Sequence, residues 1–328
     1  MRALVISDGG RLDLEDRPVP SPGAGEVLVR VHGAGINRAD LLQRAGRYPA
    51  PPGAPADIPG LEFAGIVEAT GEGVTVPGVG DHVMGIVAGG GQAEYLTTAA
   101  AHCARVPAGL DLVTAGGIPE AFITAHDAMV TQGDLLSGHR VLVHAVASGV
   151  GTAALQLAPA LGAASVAGTS RSKDKLERCV ELGLDHPVLA PSGFEPAALA
   201  AEITAASGGP IDVSVDLLGG PYLAVDVAAA ARKGRIVVVG LIAGARAELD
   251  MGTLLAKRLT VRGTVLRSRP DAEKADATHL FEGQVVPLLA RGTVRPVIDE
   301  VVPIGEAERG YELVAADRTC GKVVLDLR

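Results

Sequence analysis

The stretch RVLVHAVASGVGTAALQLAPALGAASVAGTSRSKDK, residues 140–175, decides the fold. It opens on an apolar run, Arg140–Ala145, short and branched enough for a buried strand. Gly149-Val150-Gly151-Thr152-Ala153-Ala154 follows as a G-x-G-x-x-A. A helical pattern then runs from Gly151 to Leu161, with Pro159 expected to kink its axis. Ser165–Thr169 reads as a second strand and Ser172–Leu182 as a second helix. In this βαβ setting the glycines carry a mechanism. Gly149 gives the tight turn, Gly151 lets the backbone approach a pyrophosphate, and Ala154 lets helix pack closely on strand. The helix tip then offers free N–H groups and a positive dipole end to phosphates. An ordinary Gly-rich turn is the alternative, but it would not need the strand before and the helix after.

The end of the second strand chooses between nicotinamide cofactors. An NAD site wants an acidic residue there to take the ribose hydroxyls, whereas this chain has Thr169-Ser170-Arg171-Ser172-Lys173-Asp174-Lys175. Two of the six lysines in the chain fall beside Arg171. Cationic side chains would pair with a 2′-phosphate and a carboxylate would repel it, so NADPH is the expected cofactor. A solvated first turn of helix is the plainer reading of the same residues, and Asp174 favours it.

Outward from this unit, the βαβ rhythm continues through Ile211–Leu217, Tyr222–Ala231 and Arg235–Leu241. Residues 119–262 are therefore expected to form a doubly wound, Rossmann-type parallel-sheet domain. Residues 1–118 have a different texture. Strand-like Glu26–His32, Glu62–Thr70 and Asp81–Ala88 are separated by turn punctuation such as Ser21-Pro22-Gly23 and Gly89-Gly90-Gly91, giving an irregular β-rich domain. From 263 to 328 the signals are mixed and end in strand-like Lys322–Leu327.

Bulk properties exclude several classes. Hydrophobic residues are 48% and charged residues 20% of the chain, a globular and soluble balance. A net charge of −9 gives no electrostatic footprint for nucleic acid or for an anionic membrane. The N-terminus carries charges where a secretory signal needs an apolar core, and the uncharged run Ala145–Ser170 is broken by Gly and Pro as a membrane span would not be. Three dispersed cysteines suit a reduced, cytoplasmic protein. Eight histidines show no H-E-x-x-H or H-x-H spacing, no metal site can be assembled, and no nucleophile elbow is present. The chemistry is then the cofactor's. Polar residues of the β-rich domain remain: Asn37-Arg38-Ala39-Asp40 at a helix start, Tyr48 before Pro49, and Thr124 in Phe122–Ala125. Each also has a structural reading, since Asn and Asp cap helices and a Tyr beside Pro anchors loops.

Taken together, Asn37–Asp40 (NRAD), Gly60–Glu62 (GLE), Gly89–Tyr95 (GGGQAEY), Ile118–Ala125 (IPEAFITA), His144–Ala154 (HAVASGVGTAA), Leu266–Arg269 (LRSR) and Gly321–Leu325 (GKVVL) resemble, nearly end to end, the zinc-free quinone oxidoreductase (zeta-crystallin-like) branch of the medium-chain dehydrogenase/reductases, closest to its stress-inducible NADPH quinone oxidoreductases. The resemblance implies a GroES-like β-rich catalytic domain built from both chain ends, with the Rossmann domain inserted. Zinc-dependent relatives carry a Cys near Asn37, a His at Leu61 and a four-Cys lobe after Gly90, all missing here. It further implies that Tyr48 and Thr124 approach nicotinamide and substrate, with Asn37 bordering them. Ser148, Gly149, Val150, Gly151 and Thr152 would hold the pyrophosphate, and Ser170, Arg171, Ser172 and Lys175 the 2′-phosphate. Leu217, Gly219, Gly240, Leu241 and Leu266 would line the cofactor channel, and Lys322 would reach the cofactor. A Tyr that relatives place after the third Rossmann strand is replaced here by Leu189-Ala190-Pro191. Relatives are commonly homodimers or homotetramers joined through the last Rossmann strand, here Leu259–Leu266, so a homodimer is expected.

The expected activity is NADPH-dependent reduction of quinones or small conjugated carbonyl compounds without zinc. An enoyl or 2-alkenal reductase of a biosynthetic pathway and a non-catalytic, crystallin-like NADPH-binding protein are the alternatives. With no Trp and only eight Phe plus Tyr, small and aliphatic side chains are expected to line the pocket. If the Ser170–Lys175 segment reads the 2′-phosphate, Arg171→Glu raises KM for NADPH far more than for NADH in steady-state assays. Equal losses for both cofactors would refute the assignment.

Overall fold

The computed structural model describes residues 1–328. It divides into two compact units, Met1–Ile123 with Leu266–Gly292 and Pro296–Arg328, and Thr124–Val265 with Thr293–Arg295. These divisions fall slightly later than the changes of sequence texture at 118/119 and 262/263, and each shift has a local cause. The helix Pro119–His126 begins against the first unit, where the Glu120 N–H donates to the Glu62 carboxylate at 2.9 Å. The last strand of the second unit ends at Gly263, and the next N–H, of Thr264, still bonds the Val238 carbonyl at 3.0 Å.

In the first unit, β1 (Arg2–Ser7) and β2 (Arg11–Asp16) form an antiparallel hairpin. The main sheet begins with β3 (Glu26–Ile36), β4 (Glu62–Thr70), β5 (His82–Ile86), β6 (Tyr95–Ala99) and β7 (Cys103–Arg105). β4 spans the strand-like residues expected, Glu62–Thr70. β3 runs on past His32, because its far end, Gly33 to Ile36, is covered on both faces and needs no polar alternation.

The second unit contributes β8 (Arg140–Val143), β9 (Ser165–Ser170), β10 (His186–Leu189), β11 (Ile211–Asp216), β12 (Ala230–Val238) and β13 (Thr260–Gly263). They pair in parallel in the order β10-β9-β8-β11-β12-β13, the doubly wound arrangement expected of residues 119–262. Leu142, Val188, Leu199, Ile203, Ile211 and Val225 are buried together between sheet and helices, each such side chain contributing about 1.5–3 kcal/mol. β13 is shorter than the expected Leu259–Leu266, and all four of its residues are exposed. Pro159 lies in the last turn of the helix Gly149–Ala160, so its missing N–H falls where the helix is ending. No helix is long and apolar enough to cross a membrane.

The chain then returns to the first unit as β14 (Ile298–Pro303) and β15 (Lys322–Asp326). The order there is β14-β15-β3-β4-β5-β7, with β6 also on β3. Phe63, Val27, Val29, Leu325 and Tyr311 fill the core of this unit. Pairing of β15 with β3 puts Val323 opposite Ile36 and brings Lys322 to the end of β3. There the buried ammonium meets Glu62 Oε1 at 2.6 Å, Asn37 Oδ1 at 2.6 Å and the Ile36 carbonyl at 3.1 Å. Its three protons thus meet three acceptors, and the two chain ends are tied by one buried ion pair.

Removing one member of such a pair strands the other charge, which costs about 3–5 kcal/mol, whereas removing both costs far less. Urea unfolding should therefore show Lys322→Met strongly destabilised and the double variant Lys322→Met/Glu62→Gln substantially recovered. A double variant no more stable than the single one would contradict this account of the pair.

Candidate active site

In the second unit, the expected cofactor residues lie along one edge of the sheet, where the parallel strands end. Ser148 caps the helix Gly149–Ala160, its Oγ accepting from the Gly151 N–H at 3.1 Å. Thr152 Oγ1 donates to the Gly149 carbonyl at 3.0 Å. The N–H groups of Gly149 and Val150 find no acceptor in the chain, as expected of a helix tip. Gly151 is indispensable for a reason internal to the fold. A β-carbon there would collide with the carbonyl oxygens of Ala145 and Val146. The tight turn assigned to Gly149 is made elsewhere: Gly149 is already the first helical residue, and Ala145 takes the left-handed conformation at φ 51°. Ala154 is fully buried, consistent with close helix-on-strand packing.

Next to this loop, β9 ends at Ser170, whose Oγ accepts from the Ser172 N–H at 3.2 Å. Ser172 in turn caps the helix Lys173–Glu181 by accepting from the Lys175 N–H at 3.3 Å. Arg171 is exposed, and its charge partly offsets the burial that raises the Tyr222 phenol pKa. Lys173 points to an exposed i,i+4 pair with Glu177 at 3.8 Å, and Asp174 is exposed in the same helical turn. On the other side of β8, Leu217, Gly219, Gly240 and Leu241 follow β11 and β12, with Leu217 buried and Leu241 exposed. The Val239 N–H donates to the Asp216 carbonyl at 2.7 Å and so ties the two strand ends together.

Behind this edge is a buried polar group centred on His144. His144 Nδ1 lies 2.8 Å from Thr169 Oγ1 and Nε2 lies 3.2 Å from Asp226 Oδ1. Burial alone would lower the imidazole pKa, but the Asp226 charge and hydrogen bond reverse the sign and raise it. Asp216 is pushed up to about 6 by burial and then by the Asp226 charge. Its Oδ1 accepts from the N–H groups of Leu218 and Gly219 at 2.8 and 2.9 Å. The Asp216 carboxylate therefore fixes the loop carrying Leu217 and Gly219.

The first unit holds Asn37, Tyr48, Leu266 and Lys322, while Thr124 is buried in the second. Asn37 precedes the helix Arg38–Arg44, and its own N–H donates to Asp40 Oδ2 at 2.7 Å. Its amide is engaged at both ends, Nδ2 with Glu62 Oε1 at 3.0 Å and Oδ1 with Lys322. Lys322 was expected to reach the cofactor, but its ammonium is spent on Glu62, Asn37 and Ile36. Tyr48 is half-buried, its ring lies 4.8 Å from the Arg267 guanidinium carbon, and its hydroxyl has no partner in the chain. Leu266 is buried beside Arg267 in sequence.

Sequence reasoning gave no role to Asp40, Glu62, Glu120 or Arg267. Asp40 is pushed up to about 6 by burial, which the Asn37 and Gly60 N–H groups only partly offset. Glu120 is pushed up to about 8, first by burial and then by the Glu62 charge, so its carboxyl is mostly protonated at neutral pH. The one available signal was a Glu in the otherwise apolar run Leu61–Val67. No group of three or more His, Cys, Asp or Glu side chains is arranged to hold a metal ion.

Comparison with known proteins agrees with both units. Residues 23–134 match the family described as alcohol dehydrogenase GroES-like domain, and residues 149–282 that described as zinc-binding dehydrogenase. The synaptic vesicle membrane protein VAT-1 homolog of Rattus norvegicus is 32% identical over 99% of this chain and 84% of its own length. The quinone oxidoreductase of Lama guanicoe is 30% identical over 100% of this chain and 98% of its own. The quinone oxidoreductase of Thermus thermophilus, whose crystal structures include a complex with NADPH, matches at a TM-score of 0.84 and 30% identity over the full length of both chains. With the GroES-like and Rossmann units both present and relatives matched from end to end, the chain belongs to the medium-chain dehydrogenase/reductase superfamily.

Proposed function

We propose that this protein is an NADPH-dependent oxidoreductase that reduces quinones or small conjugated carbonyl compounds without zinc. One observation carries the reading. The open N–H groups of Gly149 and Val150 sit at the same sheet edge as Ser170, Arg171, Ser172 and Lys175, with no carboxylate at the end of β9. A pyrophosphate suits the first group and an additional phosphate the second. Relatives named quinone oxidoreductase, one of them solved with NADPH, support the same choice.

When bound, reduced nicotinamide supplies a hydride. This chain's residues hold and polarise what surrounds it. Gly219 and Gly240 present backbone without side-chain bulk, and the Asp216 carboxylate keeps the Gly219 loop in place. A quinone accepting a hydride becomes a stabilised hydroquinone anion and needs no strong acid, whereas an enone becomes an enolate that benefits from a donor at its oxygen. Tyr48 is the proposed donor, since its hydroxyl is uncommitted, and Thr124 is proposed to serve the same substrate. The engaged amide of Asn37 suits a border and positioning role, and Lys322 acts through it. Zinc independence is supported by the donor set. Asn37 and Leu61 stand where the resemblance expects Cys and His, and the polar atoms of Asn37 and Glu62 are already matched to an ammonium.

A homodimer is proposed through β13. This strand is an exposed edge of the second unit's sheet, and Met251 and Leu255 of the helix before it and Val265 after it are 57%, 73% and 46% exposed. An open edge flanked by apolar side chains is a pairing surface. Light scattering should give twice 33.2 kDa, and Val261→Pro, which removes an edge donor, should give the monomer. A monomeric wild type would refute the interface.

The activity is tested by NADPH oxidation with chelator-dialysed protein across ortho- and para-quinones, enones and enoyl thioesters. Turnover without added metal is expected, and a zinc requirement or NADPH binding without any turnover would overturn the reading. In the same assay Tyr48→Phe should slow enone reduction by about tenfold or more while affecting quinones less. An unchanged ratio removes Tyr48 from the role.

A further inference from the structure

Arg267 is 5% exposed, and its guanidinium is bonded only to neutral acceptors. Nε donates to the Ala88 carbonyl at 2.8 Å, Nη1 to the Tyr48 carbonyl at 3.1 Å and Nη2 to Gln43 Oε1 at 2.6 Å. Its carbon lies 4.8 Å from the centre of the Tyr48 ring. A buried arginine ordinarily pairs with a carboxylate, because an uncompensated charge is costly to desolvate. Here the charge is kept, without an ion pair, against the face of one aromatic ring. A clamp on three carbonyl-type acceptors could be built without a charge, so the cation calls for a separate explanation.

We propose that Arg267 is a positioning residue of the reaction. Its fork holds the Tyr48 backbone, and its charge lies against the Tyr48 ring to favour release of the phenolic proton to the substrate oxygen. The inference rests on the proposed role of Tyr48. In the step, the Tyr48 O–H bond breaks and a new O–H bond forms on the enolate oxygen left by hydride addition. The resulting tyrosinate is stabilised by the adjacent guanidinium and regains a proton from water. Two carboxyl groups besides Arg267, those of Glu120 and Asp40, set the local charge. Burial raises the Tyr48 phenol pKa, the Arg267 charge lowers it and Glu120 raises it, while Asp40 and Glu120 both face Arg267. The guanidinium itself, though burial lowers its pKa, remains charged. A role in enolate protonation makes α,β-unsaturated carbonyl compounds, rather than quinones, the substrates that depend on Arg267.

The chain has four tyrosines and no tryptophan, so tyrosinate absorbance can be followed directly. Subtracting the alkaline titration of Tyr48→Phe from that of the wild type isolates Tyr48. Arg267→Gln should move this midpoint upward and cut enone kcat by about tenfold, with quinone kcat changed by less than about twofold. Arg267→Lys, which retains the charge but not the fork, should keep the midpoint near that of the wild type and restore most of the enone rate. If the Gln variant does not fold, the Lys variant alone decides, through its midpoint and its enone-to-quinone ratio. An unmoved midpoint in Arg267→Gln, or parallel loss of both activities in both variants, would reduce Arg267 to a structural clamp. Failure of the donor role is read separately, from an unchanged enone-to-quinone ratio in Tyr48→Phe.

Discussion

Between the end of β8 and the helix Gly149–Ala160 the backbone folds back on itself so closely that residue 151 has no room for a β-carbon. That approach aims the helix tip at the sheet edge and leaves the N–H groups of Gly149 and Val150 open. It also makes Ala145 rather than a glycine adopt the left-handed turn. Everything assigned to cofactor binding is arranged around this bend. The Ser170–Lys175 segment flanks it on one side, and the loop held by Asp216 flanks it on the other.

The two units handle buried charge in different ways. In the second, Asp226 sits against the His144 imidazole, and Asp216 is held by backbone N–H groups and so anchors a loop. In the first, Lys322 and Glu62 neutralise one another at the join of the chain ends, while Arg267 has no such counter-ion. Paired charges at these depths serve the architecture. The buried arginine without an ion pair is the feature that architecture alone does not account for.

The doubly wound sheet was legible because strand-like and helix-like stretches alternate along residues 140–241 and because Val141–Val143 is the unbroken apolar run of a fully buried strand. β3 was legible as far as His32 from its alternating residues, Glu26–His32. The role of each glycine was not, because G-x-G-x-x-A marks where small residues are needed without saying which one bends. The pairing of Lys322 with Glu62 and the place of Arg267 were opaque for another reason. A charged residue in one sequence reads as solvated; sheet pairing between distant parts of the chain brings Lys322 to Glu62, and Arg267 meets Gln43, Tyr48 and Ala88 from far along the chain. The Leu266–Arg269 segment was visible as a pattern, yet nothing in its letters indicated that Arg267 would lie under Tyr48.

The central claim is that a glycine-enforced helix tip and a cationic strand end together select a phosphorylated dinucleotide. Fluorescence titration of the purified protein with NADPH and with NADH tests it most directly. The account predicts saturable NADPH binding at least about tenfold tighter than NADH, the margin expected from charge-assisted bonds to one extra phosphate. Equal affinities, or no saturable binding of either, would contradict it.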